Sequence, residues 1–179
     1  MLIAQYKGKG FPSNFIRFAT RSQYSHSAFL FDAVTERACQ KMLKAGADLG
    51  GIQHILAGSV VEAWMPEVRN VASISSQHQS GVNVDVFKLV DPLTLAEEMA
   101  LITFLVPEMG TPYNLRDVIR FVTKRPGNLD NSWFCSELVY AGLQKVHRNI
   151  LVSTPAWMVP PDWIPRSPLL TYAYTVKTC

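Results

Sequence analysis

The run Val82-Asn83-Val84-Asp85-Val86-Phe87-Lys88-Leu89 alternates with a period of two, and it limits the fold more than any other stretch. Alternation sends Val82, Val84 and Val86 to one face of a strand, and a lone strand leaves its backbone donors and acceptors unpaired. Partner strands are therefore required, and the sequence offers several. Tyr24 to Asp32 is aromatic and aliphatic, too short for a typical helix, and predicts a strand from about His26 with His26, Ala28 and Leu30 on one face. Ser59 to Met65, ended by Pro66, predicts a second with Val60, Glu62 and Trp64 together. Val68 to Ile74 is another short candidate, and Leu169 to Val176 predicts a closing strand.

Helical periodicity fills much of the remainder. A short helix follows a Ser13 or Asn14 cap and ends near Thr20-Arg21-Ser22. Ala33 to Ala45 reads as an amphipathic helix stopped by Gly46, with Val34, Met42 and Leu43 as its anchor if it packs on the sheet. Another begins after Asp91-Pro92-Leu93-Thr94, runs through Leu95, Met99, Ile102 and Leu105, and is ended or kinked by Pro107. Leu115, Val118, Ile119 and Val122 suggest a further helix carrying a basic stripe of Arg116, Arg120 and Lys124; a solvated face is its ordinary meaning, and an anionic substrate or membrane head groups its functional one.

The chemistry centres on Cys135. Its approach, Arg125 to Ser132, holds Pro, Gly and Asn and cannot be regular, whereas Val139, Leu143, Val146 and Ile150 recur at helical spacing. The thiol therefore falls in a first helical turn, where free N–H groups and the macrodipole favour an anion and lower a thiol's pKa. A buried core cysteine is the competing explanation. His26 supplies the ring suited to proton transfer near neutrality. His54 and His78 sit in loop-like stretches and His147 near the end of the Cys135 helix, all with structural explanations. Glu62, mid-strand among apolar residues, needs a partner or an exposed edge.

Composition narrows the function. With 48% hydrophobic and 17% charged residues in 179, the expectation is one globular domain over 1–179, and a net charge of +3 with no nucleic-acid motif argues against nucleic acid as a partner. Three cysteines, Cys39, Cys135 and Cys179, without a CxxC pair indicate neither a disulfide framework nor a zinc site, so no metal and no cofactor is expected. No apolar run approaches bilayer length and the first residues lack a Sec-type signal, so the expected location is cytoplasmic, with no stable membrane insertion and with export by another route left open.

Taken in order, a His26 strand, a Glu62 strand and a Cys135 helix resemble the circularly permuted branch of the NlpC-type papain-like cysteine amidases, the YiiX/YebB-like group with poxvirus relatives. The matching pieces are Tyr24-Ser25-His26-Ser27-Ala28, Val60-Val61-Glu62-Ala63-Trp64, Gly110-Thr111-Pro112-Tyr113-Asn114, Phe134-Cys135-Ser136-Glu137-Leu138-Val139 and the Pro161-Asp162-Trp163 with Ser167-Pro168 tail. The resemblance implies an α+β, circularly permuted papain-like fold: an antiparallel sheet packed against helices, with the catalytic cysteine at a helix N-terminus. It further implies a Cys135–His26–Glu62 triad, an acyl-thioester intermediate and a thiol hydrolase or amidase acting on a peptide, with cell-wall-type peptides as the expected class. A lipid acyl hydrolase or acyltransferase of lecithin:retinol acyltransferase type is the alternative, and a non-catalytic binding module on the same fold the third. Either enzyme would take a peptide or an acyl-bearing small substrate; the oligomeric state is left open. Tyr113 is expected to line the substrate pocket, together with Tyr24, Ser25 and Trp133 beside the proposed catalytic residues. Residues 33–58 are longer than a simple strand connection and are expected to form an insertion or lid.

Overall fold

The computed structural model describes residues 1–10, 13–52, 54–114, 132–151 and 154–179. Its centre is a six-stranded antiparallel sheet: β1 (Leu2–Tyr6), β2 (His26–Leu30), β3 (Val60–Trp64), β4 (Glu67–Val71), β5 (Asn83–Leu89) and β6 (Leu170–Lys177), in the order β4-β3-β2-β1-β5-β6. Four α-helices are described: α1 (Ser13–Thr20), α2 (Ala33–Lys44), α3 (Leu95–Leu105) and α4 (Cys135–Lys145). The expected helix with Arg116, Arg120 and Lys124, and most of the irregular approach to Cys135, lie outside the described residues.

Alternation divides the side chains into two layers. Phe29, Val61 and Ala63 meet Leu101, Leu105, Leu138, Val139 and Leu143 in the main core. Ala4, Tyr6, Ala28, Leu30, Val60, Val84 and Val86 form a second cluster on the other face, with Ile74 of the connection after β4 packed against it. Gly142 sets how closely α4 approaches the sheet: a Cβ there would lie 2.8 Å from the Phe29 ring and 2.9 Å from Leu101.

β1 is the element the sequence pattern did not reveal. It pairs with both β2 and β5, and with both sheet faces covered its residues carry no polar alternation. α2 begins at the Asp32 cap, whose carboxylate accepts from the Val34 and Thr35 amides, and Gly46 follows it at φ 82. Its anchors are Thr35, Ala38, Cys39 and Met42, with Leu43 exposed; Ala38, Cys39 and Met42 pack in the core that holds Leu101, Ile102 and Leu105 of α3. α4 stops at Lys145, so Val146, Ile150 and His147 lie beyond it, His147 at φ 59. Among the described residues no helix is long and apolar enough to cross a membrane.

Candidate active site

The site starts from a hairpin. β3 and β4 turn at Met65–Pro66, which sets Glu62 opposite Arg69. The Arg69 guanidinium donates to Glu62 Oε1 from Nε (3.0 Å) and Nη2 (2.8 Å). Next to it, the β2–β3 ladder pairs only Phe29 with Val61 and Leu30 with Val60, so it stops short of His26. Side chains close the remaining distance: His26 Nε2 lies 2.8 Å from Glu62 Oε2. The segment between β4 and β5 brings His78, whose Nε2 lies 3.0 Å from the same oxygen.

A carboxylate with its side chain fully out of water costs several kcal/mol unless matched, and four N–H groups match this one. Burial pushes the Glu62 carboxyl up, but the hydrogen bonds of His26 and His78 outweigh it, so Glu62 ionises well below the usual carboxylate range. An ionised carboxylate only accepts, so the network assigns the His26 proton to Nε2. His26 Nδ1 is then left with its lone pair, buried and, among the described residues, without a hydrogen-bond partner. Burial lowers the His26 pKa, against the pull of Glu62, and keeps the ring neutral near pH 7.

Aromatic rings fix both imidazoles. Tyr6 stacks on His78 with centroids 4.3 Å apart, and Trp64 sets its edge against His26 at 4.7 Å and His78 at 5.0 Å. A pocket of about 80 Å³ reaches the two histidines between Lys9, Ser13, Ser25 and Gln79.

Cys135 opens α4 after Phe134, whose extended backbone (φ −86, ψ 154) marks the helix boundary. The thiol is fully buried, packed with Ile16 of α1 and Phe134 and flanked by Ala19 and Tyr113. Burial pushes its pKa up to about 12; the Ser27, Ser136 and Cys135 amides pull the other way, and the Glu62 charge adds to the rise. The helix start was expected to lower this pKa toward neutrality, and here desolvation outweighs it. The thiol rests against the amide of Ser27, the residue after His26, although no hydrogen bond between Cys135 and His26 is present among the described residues.

The other expected residues divide. Ser25 lines the pocket, its hydroxyl accepting from the Gly8 amide at 3.0 Å, and Tyr113 packs by the thiol with its ring 5.8 Å from that of Phe134. Tyr24 turns instead to β5, donating to Asp85 Oδ2 at 2.7 Å, and Trp133 donates to Glu108 Oε2 at 2.6 Å with its ring on Phe104. Of the competing histidines, His54 is exposed, whereas His78 is a site residue that sequence reasoning missed. Arg69 was also missed, although a symmetrical hairpin about Met65–Pro66 already pairs it with Glu62. No signal of comparable directness exists for His78, because an irregular connection does not encode where its side chain lands.

No protein-family model and no curated protein sequence matches the chain. Among solved structures, it is similar to the metalloprotein YiiX from Escherichia coli O157:H7, with a TM-score of 0.63 at 16% sequence identity, over 97% of this chain and 94% of that one. The chain therefore has a YiiX-like fold.

Proposed function

We propose that the protein is a thiol hydrolase of the permuted papain-like, NlpC-type kind, which cleaves an amide bond through Cys135, His26 and Glu62. The observation that carries this reading is His26: its Nε2 is committed to Glu62, while its buried Nδ1 has no partner among the described residues, next in the chain to the amide on which the thiol rests. A thiol with a pKa near 12 is inert at neutral pH unless a base takes its proton, and Nδ1 is the available base.

In the proposed reaction the Cys135 S–H proton passes to His26 Nδ1 as sulfur bonds to the substrate carbonyl carbon. Glu62, still ionised, holds the imidazolium through Nε2–H. The C–N bond then breaks, and the departing amine takes the proton from Nδ1. Water attacks the thioester with His26 again as base, releasing the carboxylic acid and restoring the thiol. The Cys135 amide at the start of α4 is the candidate donor to the oxyanion.

The test is intact-protein mass spectrometry after mixing with peptide amides, thioesters and phospholipids. A hydroxylamine-labile acyl adduct on Cys135 is expected, with amide donors separating the peptidase form from the lipid-acyl alternative. Hydrolysis of the same panel by Cys135→Ser at the wild-type rate would overturn the proposal.

A second reading attaches to overlapping atoms. The similar YiiX is called a metalloprotein, and here His26, Glu62 and His78 each present one donor atom, all within 4.8 Å of one another. Two imidazoles and a carboxylate are a donor set known for zinc, which supplies Lewis acidity and acidifies bound water. The set fits a metal, although among the described residues His26 Nδ1 has no second-shell acceptor of the kind metal-bound histidines usually have.

A further inference from the structure

We infer that His26, Glu62 and His78 bind a late first-row divalent cation and that this binding silences Cys135, so that metal occupancy and thiol chemistry are alternative states of one cluster. The inference rests on the thiol-hydrolase reading.

The class of cation follows from the donors. Arg69 occupies Glu62 Oε1 twice over, leaving Oε2 as the free carboxylate atom and matching its charge with a guanidinium. What remains is two imidazole nitrogens and one oxygen, too few hard ligands for calcium or magnesium and well suited to zinc, cobalt or nickel. Lys9, Ser13, Ser25 and Gln79 border the pocket of about 80 Å³ at the two imidazoles, which leaves room for water at an open position.

Exclusion follows from shared atoms. Thiol chemistry needs the His26 proton on Nε2, given to Glu62 Oε2, so that Nδ1 can accept. Coordination needs the Nε2 lone pair, and a neutral imidazole coordinated there carries its proton on Nδ1. That nitrogen then donates and cannot take the proton of Cys135. His78 separates the two states: it contributes an Nε2 to the donor set but moves no proton in the proposed reaction. Its place is fixed from below by the Tyr6 ring, whose hydroxyl also donates to the Ile74 carbonyl at 3.2 Å.

The test uses the full chain with Cys179→Ser, which removes the exposed thiol, freed of metal by chelation. Zn²⁺ and Co²⁺ are titrated while calorimetry reads stoichiometry and peptide mass spectrometry reads iodoacetamide labelling of Cys135. A single equivalent should bind and slow Cys135 labelling about a hundredfold, the scale of a lost general base. The cobalt spectrum should lack a thiolate charge-transfer band, because the block acts on the base and not on sulfur. In His78→Ala and in His78→Gln, which remove one of the three ligands, binding should weaken by more than the roughly 100-fold that loss of an outer hydrogen-bond partner costs, and the ratio of labelling rates without and with metal should fall toward one. No stoichiometric binding, binding that leaves wild-type labelling unchanged, a thiolate band, or an unaltered ratio in both His78 variants overturns the inference. If Cys135 of the metal-free protein labels no faster than in His26→Ala, the thiol reading itself fails, which is a different result.

Discussion

Glu62 illustrates how one buried charge organises its neighbours. Its two oxygens accept from Arg69 on one side and from His26 and His78 on the other, and each partner comes from a different part of the chain. Removing Arg69 leaves the carboxylate short of its only permanent counter-charge among these partners, so Arg69→Leu should destabilise the fold by about 3–5 kcal/mol. Adding Glu62→Gln should recover part of that loss, because a neutral amide needs no cation. Urea titration of the single and double variants checks this; equal stability of Arg69→Leu and wild type would mean that the ion pair contributes nothing. The need for a partner to Glu62 was readable from its place in an apolar strand, and the hairpin arithmetic points to Arg69. The third partner was not readable, since His78 reaches the site by an irregular path across the sheet.

At the scale of elements, α1 and α2 have separate tasks. Ile16 of α1 covers the Cys135 thiol, so Ile16→Ala should cost about 2–5 kcal/mol and accelerate labelling of Cys135 by opening its shell. Slower or unchanged labelling in a folded variant would contradict that covering role. α2 lies in the 33–58 segment for which a lid was expected, yet Ala38, Cys39 and Met42 bury it in the core shared with α3. Met42→Ala should therefore destabilise by a similar amount with Cys135 labelling unchanged, whereas a change in labelling would favour the lid. The helix itself was legible from its period and from Gly46, but its buried side was not: Leu43 looked like an anchor and is exposed. Period locates a stripe; only tertiary contact says which edge of the stripe is covered.

Across the whole molecule, the antiparallel sheet brings together residues more than a hundred positions apart, with His26 and Glu62 on adjacent strands whose ladder ends before them and Cys135 at the head of the helix packed on those strands. Five of the six strands were visible in the sequence because they alternate or are rich in β-formers bounded by turns. The missing one, β1, is central and covered on both faces, which removes the polar alternation by which a strand is recognised. The positions of Cys135, His26 and Glu62 in their elements were legible too. The state of the thiol was not, because a helix start predicts a low pKa and complete burial reverses it.

Whether His26 takes the Cys135 proton is read directly from the pH profile of iodoacetamide labelling at Cys135, resolved from Cys39 and Cys179 by peptide mass spectrometry. Without a base, labelling of a thiol whose pKa is about 12 rises tenfold per pH unit through the neutral range. The predicted result is a plateau across neutral pH in the wild type, where neutral His26 takes the thiol proton as sulfur is alkylated, and the steep rise in folded His26→Ala. The same steep rise in both proteins, or the same plateau in both, would contradict the account.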